Sequence, residues 1–60
     1  MDNTKALTAI FMDHLELGEN CHGFEVQGDR VELWLCMQGY KYYEKYISVE
    51  EFNKCFLEYF

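Results

Sequence analysis

Between His22 and Met37, apolar and polar residues alternate on either side of a Gly28-Asp29 pair, a pattern that leaves the chain few ways to fold. Period-two alternation belongs to strands with one buried face. Gly followed by Asp suits the two central positions of a tight hairpin. A turn there sets Val26 opposite Val31 and Phe24 opposite Leu33, with His22, Leu35 and Met37 continuing the same apolar side. On the other side Trp34 falls opposite Gly23, where a large ring can cover a bare glycine backbone.

The flanking segments have a different period. Asp2, Asn3 or Thr4 can cap a first helix that carries Leu7, Ile10, Phe11, His14 and Leu15 or Leu17 on one side and stops at Gly18. Near the other end, Ser48-Val49-Glu50-Glu51 is a capping box, and Ile47 and Phe52 have the spacing of a hydrophobic staple. Phe52, Cys55, Phe56 and Tyr59 follow as an apolar helical stripe. Between hairpin and last helix, Tyr40–Ile47 reads as a third strand after a turn at Gln38-Gly39. A two-residue turn pairs Trp34 with Tyr43 and Glu32 with Lys45, and sends Tyr40, Tyr42 and Tyr46 toward the core. It also sets Glu44 opposite Leu33, a conflict that a bulge or a longer turn would remove. The order is α-β-β-β-α: one α+β domain over residues 1–60, a three-stranded antiparallel sheet with two helices packed on one face.

A chain of 60 residues hides only about 60% of its unfolded surface on folding, so it needs large apolar groups. Five Phe, five Tyr and one Trp supply them, each ring burying roughly 150–250 Å². The net charge of −6 argues against direct nucleic-acid binding, which depends on Lys and Arg at phosphates, and against anionic membranes. Two lysines among the tyrosines of 40–46 are too few to reverse that expectation. The start of the chain lacks the basic residues and apolar run of a signal peptide. Three widely spaced cysteines suit free thiols in a cytoplasm, the host cytoplasm if the chain is phage-encoded.

Catalysis and metal binding find little support. His14, Cys21, His22 and Cys36 or Cys55 assemble into a zinc set only on paper, because no C-x-x-C or H-x-x-x-H pair is present. No Gly-rich phosphate loop and no feature that activates a thiol is recognisable, so neither an enzyme nor a cofactor is expected.

With both helices on one side of the sheet, the other side carries Trp34, Tyr43, Cys36 and Ile47 among Glu25, Glu32, Arg30, Lys41 and Lys45. Aromatic anchors within a charged rim have the composition of a protein interface. Glu25 opposite Glu32 invites a partner's basic groups. Asp13, Glu16 and Glu19 near the end of the first helix, and Glu50, Glu51 and Glu58 on the outer side of the last, offer further acidic surface of the kind that imitates phosphates to a basic cleft. The expected role is a non-enzymatic inhibitor or adaptor of a protein partner, such as a basic nucleic-acid-binding protein, with Trp34 and Tyr43 as anchors. In size, acidity and lack of a chemical motif the chain resembles in type the small accessory proteins of phages and mobile elements. Many of those inhibit host enzymes, including restriction and CRISPR nucleases. The alternative is a homodimer or accessory subunit associating through the open sheet face.

Overall fold

The computed structural model describes residues 3–59, without the side chain of Tyr59; Asp2 as a cap, Tyr59 in the apolar stripe and Phe60 lie outside that description. Helix α1 (Thr4–Ile10) leads through a 3-10 turn (Met12–His14) into strands β1 (Glu19–Gln27), β2 (Arg30–Met37) and β3 (Lys41–Ser48), and helix α2 (Val49–Tyr59) follows. The strands form one antiparallel sheet in the order β1-β2-β3. This is the α-β-β-β-α architecture expected.

The β1–β2 hairpin forms as the alternation dictates. Val26 pairs with Val31, Phe24 with Leu33 and Gly23 with Trp34, and Gly28 takes φ +65° in the turn. The strand starts earlier than the alternation suggests, because Glu19, Asn20 and Cys21 pair with Met37, Cys36 and Leu35. A bulge between Cys21 and Gly23 joins the two stretches. The extra residue lets Cys21 and Phe24 both face inward while His22 and Gly23 face out. His22 is exposed for that reason, and not on the apolar side where strict alternation places it.

The β2–β3 connection resolves the conflict at Glu44. Gln38 and Gly39 both take positive φ (57° and 82°), and the Tyr40 N–H donates to the Met37 carbonyl at 3.3 Å. Tyr40 closes that turn but stays out of the ladder, and Met37 pairs with Lys41. One additional residue therefore shifts the strand by one position and inverts its faces. Leu35 now meets Tyr43, Leu33 meets Lys45 and Val31 meets Ile47, while Glu32 meets Tyr46 and Trp34 meets Glu44. Tyr43, Lys45 and Ile47 lie on the helix side, and Tyr42, Glu44 and Tyr46 lie on the open side.

Helix α1 is also shorter than its periodicity predicts. It ends at Ile10, and Leu15 is extended, with φ −110° and ψ 146°. The tightened turn keeps Leu15 packed on the core and leaves enough chain to reach the early start of β1. Glu16, Leu17 and Gly18 then turn sharply, with the Glu19 N–H donating to the Glu16 carbonyl at 3.0 Å and Gly18 at φ +93°. That left-handed position is the reason for a glycine there. The Asn3 side chain makes no capping bond to α1, whereas the Glu51 N–H donates to Ser48 Oγ at 3.0 Å, completing one half of the capping box of α2.

The core lies between helices and sheet. Phe11, Cys21, Val31, Leu33, Leu35, Ile47 and Cys55 are buried, with Phe24, Phe52, Phe56 and Leu7 packed around them. Phe11 stacks on Phe52 with ring centres 5.8 Å apart and meets Phe24 and Phe56 edge-on. Four rings thus join the end of α1, strand β1 and helix α2.

Glu19 is the one buried acid among the described residues. Its carboxylate accepts from the Tyr43 hydroxyl, from Lys45 Nζ at 3.1 Å and from the Glu16 N–H at 2.7 Å. Lys45 Nζ also donates to the His14 carbonyl at 2.9 Å. Burial alone pushes the Glu19 carboxyl up, but the bonds from Tyr43, Glu16 and Lys45 outweigh it and hold the carboxyl below its ordinary value. The same bond pushes the Tyr43 hydroxyl up to about 12. A lowered folded-state pKa stabilises the fold above the unfolded-state value of about 4.3 and ceases to do so as pH falls through the folded-state value. Stability measured by urea unfolding should therefore drop as pH falls below about 4.3. Glu19→Gln should remove about 1–3 kcal/mol at neutral pH and flatten that acid limb; an unchanged limb would assign the pH dependence to other carboxylates.

Candidate functional site

Both helices sit on one face of the sheet, so β1, β2 and β3 offer the other face to solvent. Trp34 is the centre of this face. Its ring lies over Gly23, so close that a Cβ there would stand 2.3 Å from the indole Cε3. Trp34 Nε1 donates to Glu32 Oε1 at 2.8 Å, and the Tyr46 hydroxyl donates to the other oxygen, Oε2, at 2.8 Å. One carboxylate thus holds two rings. The Arg30 guanidinium sits 4.6 Å from the centre of the Tyr46 ring. On the other side of Trp34, the His22 ring lies 6.4 Å away and meets Tyr42 edge-on at 5.6 Å. Arg30, Tyr46, Glu32, Trp34, His22 and Tyr42 form one strip across the three strands.

The strip is exposed although it is ordered by contacts. Tyr42 is 67% exposed, Tyr46 47% and Trp34 37%, so the aromatic rings are available without rearrangement of the fold. Around them stand the exposed carboxylates of Glu25 and Glu44. Bonds from Trp34 and then Tyr46 hold the Glu32 carboxyl below its ordinary range, and the Tyr46 hydroxyl is pushed up in return. Glu32 is therefore ionised through the physiological range. At the Tyr42 end, Thr4 at the start of α1 joins Asn20, His22, Cys36, Gly39 and Tyr42 in lining an open hollow of about 390 Å³.

Of the residues singled out in the sequence, Trp34, Glu25, Glu32, Arg30 and Cys36 lie on this face as expected. Tyr43, Lys45 and Ile47 do not. The one-residue shift after the Gln38-Gly39 turn places Tyr43 and Lys45 on the helix side, both bonded to Glu19, and buries Ile47 in the core. Lys41 moves to the helix side with them. The aromatic rings that adjoin Trp34 on this face are those of Tyr42 and Tyr46, which a strict two-residue hairpin would have buried. The clue was the conflict of Glu44 opposite Leu33: any single shift that removes it exposes Tyr42 and Tyr46, and the shift that occurs sets Lys45 there instead, paired with Glu19.

The acidic surface beyond α1 is smaller than expected. Asp13 and Glu16 are exposed, but Glu19 is buried in its pairing with Lys45 and Tyr43. His14 lies against α2, its Nδ1 3.4 Å from Glu51. The paper zinc set is not assembled: among the described residues no three His, Cys, Asp or Glu side chains gather to hold a metal ion. The three cysteines are free, and burial pushes the Cys21 and Cys55 thiols up, away from the thiolate form. Among the described residues, no helix is long and apolar enough to cross a membrane.

Comparison with known protein families, with curated proteins and with solved structures finds no match to the chain.

The placement of Trp34 is directly testable. Gly23→Ala should lift the indole from the sheet and break its bond to Glu32 at a cost of about 1–3 kcal/mol. The expected signature is a red-shifted emission maximum from the single tryptophan, with far-UV circular dichroism unchanged. Unshifted emission would place the ring elsewhere.

Proposed function

We propose that the chain is a non-catalytic protein-binding module, an inhibitor or adaptor, that docks a basic macromolecular partner through the open face of its sheet. The observation that supports this most strongly is the strip around Trp34. Small domains commonly expose single apolar residues, but here Trp34, Tyr42 and Tyr46 adjoin, and Glu32 fixes two of them before any partner arrives. Rings held in place lose less side-chain freedom on binding, and Trp, Tyr and Arg are the residue types that dominate interface energetics. The carboxylates of Glu25, Glu32 and Glu44 outnumber the one cation of the strip, Arg30, and the net charge of −6 extends the same field over the molecule. A partner rich in Arg or Lys is drawn to such a surface. A nucleic-acid-binding protein fits that description, and Asp13 and Glu16 would extend the acidic contact. A homodimer through the same face would set these carboxylates against their own copies, which favours the heterologous reading.

Trp34→Ala and Tyr46→Ala should each leave the fold intact and weaken partner binding by about 2 kcal/mol or more, roughly thirty-fold. Affinity capture from lysate, with Tyr40→Ala in the β2–β3 turn as the control, measures this. Equal capture by wild type and both variants would remove the open face as the docking site. A tight dimer in sedimentation equilibrium, lost in Trp34→Ala, would turn the reading to self-association.

A further inference from the structure

The two edges of the sheet are not equivalent. The Gly28-Asp29 turn makes Gln27 and Arg30 a hydrogen-bonded pair, and alternation gives Glu25–Glu32 and Gly23–Trp34 the same status. In a strand, the N–H and C=O of one residue point to the same side. Arg30, Glu32 and Trp34 therefore bond to β1, and Val31, Leu33 and Leu35 bond to β3. Their partners Ile47, Lys45 and Tyr43 receive those bonds. The N–H and C=O groups of Tyr42, Glu44 and Tyr46 consequently point away from the sheet, along a free edge. The same alternation turns the groups of Cys21, Phe24 and Val26 outward on β1, but there Thr8 Oγ1 of α1 accepts the Cys21 N–H at 3.0 Å, and the adjacent bulge bends the strand and breaks its edge. Strand β3 carries no proline and no bulge in its ladder with β2.

We propose that an extended segment of a partner protein docks on β3 as a fourth strand, with a basic side chain beside Glu44. This deepens the protein-binding reading and rests on it in taking the ligand to be a polypeptide. Main-chain pairing to Tyr42, Glu44 and Tyr46 would supply affinity, and alternate side chains of the incoming strand would supply selectivity. Those facing outward would extend the strip of Trp34, Tyr42 and Tyr46 and meet the carboxylate of Glu44.

A second copy of the chain is a poor occupant of this edge. Antiparallel self-pairing in a continuous sheet requires opposed residues to share a face, so the fullest overlaps centre on Tyr43, Glu44 or Lys45. Centred on Glu44, its carboxylate meets itself; centred on Lys45, its ammonium meets itself. Centred on Tyr43, Lys41 opposes Lys45 twice. Like charges directly opposite destabilise strand pairs, and edge charges commonly prevent self-association in this way. A foreign basic strand meets Glu44 without that penalty.

The test uses the full chain and a synthetic ten-residue peptide alternating arginine with valine, followed by amide hydrogen exchange in NMR spectra. In the free protein the amides of Tyr42, Glu44 and Tyr46 should exchange fast, and those of Tyr43, Lys45 and Ile47 slowly. Saturating peptide should slow the first three by tenfold or more. N-methylation of the peptide residues that face β3 should abolish this, and methylation of the alternate set should not. Glu44→Pro, which removes an outward N–H and the carboxylate but no bond to β2, should fold and lose at least tenfold in peptide affinity, and Glu44→Gln, which keeps the N–H, should lose less; if the proline variant does not fold, the wild-type amides and the methylated peptides decide. Binding that perturbs the Trp34 and Tyr46 rings but leaves the three amides unprotected overturns the fourth strand and leaves face docking standing. No binding, or protection that appears without peptide as concentration rises, overturns it also. Capture by the Trp34→Ala variant tests the parent reading separately.

Discussion

A carboxylate buried at the first residue of β1 decides which side of this protein is available to others. Glu19 draws Tyr43 and Lys45 to the helix side of the sheet, and the two-residue period of a strand then leaves Tyr42, Glu44 and Tyr46 no choice but the opposite face. Burying a charge is costly unless its partners are present and well placed. Here three donors converge on Glu19, and no buried side-chain polar atom among the described residues lacks a partner. The alternative register would leave this carboxylate without Tyr43 and Lys45. A polar cluster at one end of the sheet thereby works as a register pin for a strand whose own apolar pattern is weak.

Much of the architecture was legible because several signals agreed. Gly28-Asp29, the alternation about it, and the Gly23–Trp34 pairing all specify one hairpin, and the capping residues Ser48 and Glu51 specify the start of α2. The third strand was harder to read. In Tyr40–Tyr46 tyrosine recurs on both faces, and tyrosine is content with a buried ring or a wet hydroxyl, so hydropathy does not select the register. The deciding partner of Tyr43 and Lys45 is Glu19, more than twenty residues away in sequence, and a local pattern carries no record of it. The bulge at Cys21–Gly23 escaped for a related reason: one extra residue on β1 answers to pairing with β2, not to the alternation of β1 itself. The candidate site was accordingly half visible. Trp34, Glu25, Glu32 and Arg30 lie in the secure hairpin, whereas Tyr43 and Lys45 lay in the strand whose register was open.

The distribution of aromatic residues divides the labour of a short chain. Phe11, Phe24, Phe52 and Phe56 fill the space between helices and sheet with rings 5.0–6.4 Å apart. Phenylalanine brings no polar atom into that space. Tyr43, Tyr46 and Trp34 stand where a hydroxyl or an indole N–H finds a carboxylate, Glu19 within and Glu32 without. The same chemistry serves two ends: inside it fixes a strand, and outside it fixes the orientation of exposed rings.

The unequal edges have a consequence for assembly. A sheet that accepts strands on both sides can be extended without limit, and that is the route by which exposed strands become fibres. In this molecule Thr8 and the bulge interrupt the outer edge of β1 at Cys21, whereas the edge of β3 is unbroken, so the proposed strand addition uses the β3 side. Joined to another protein's sheet, the chain would be a terminal unit, contributing one end and offering no comparable site for the next arrival. Its geometry is that of a chain terminator, able to complete or block a neighbour's edge but unsuited to propagating a filament.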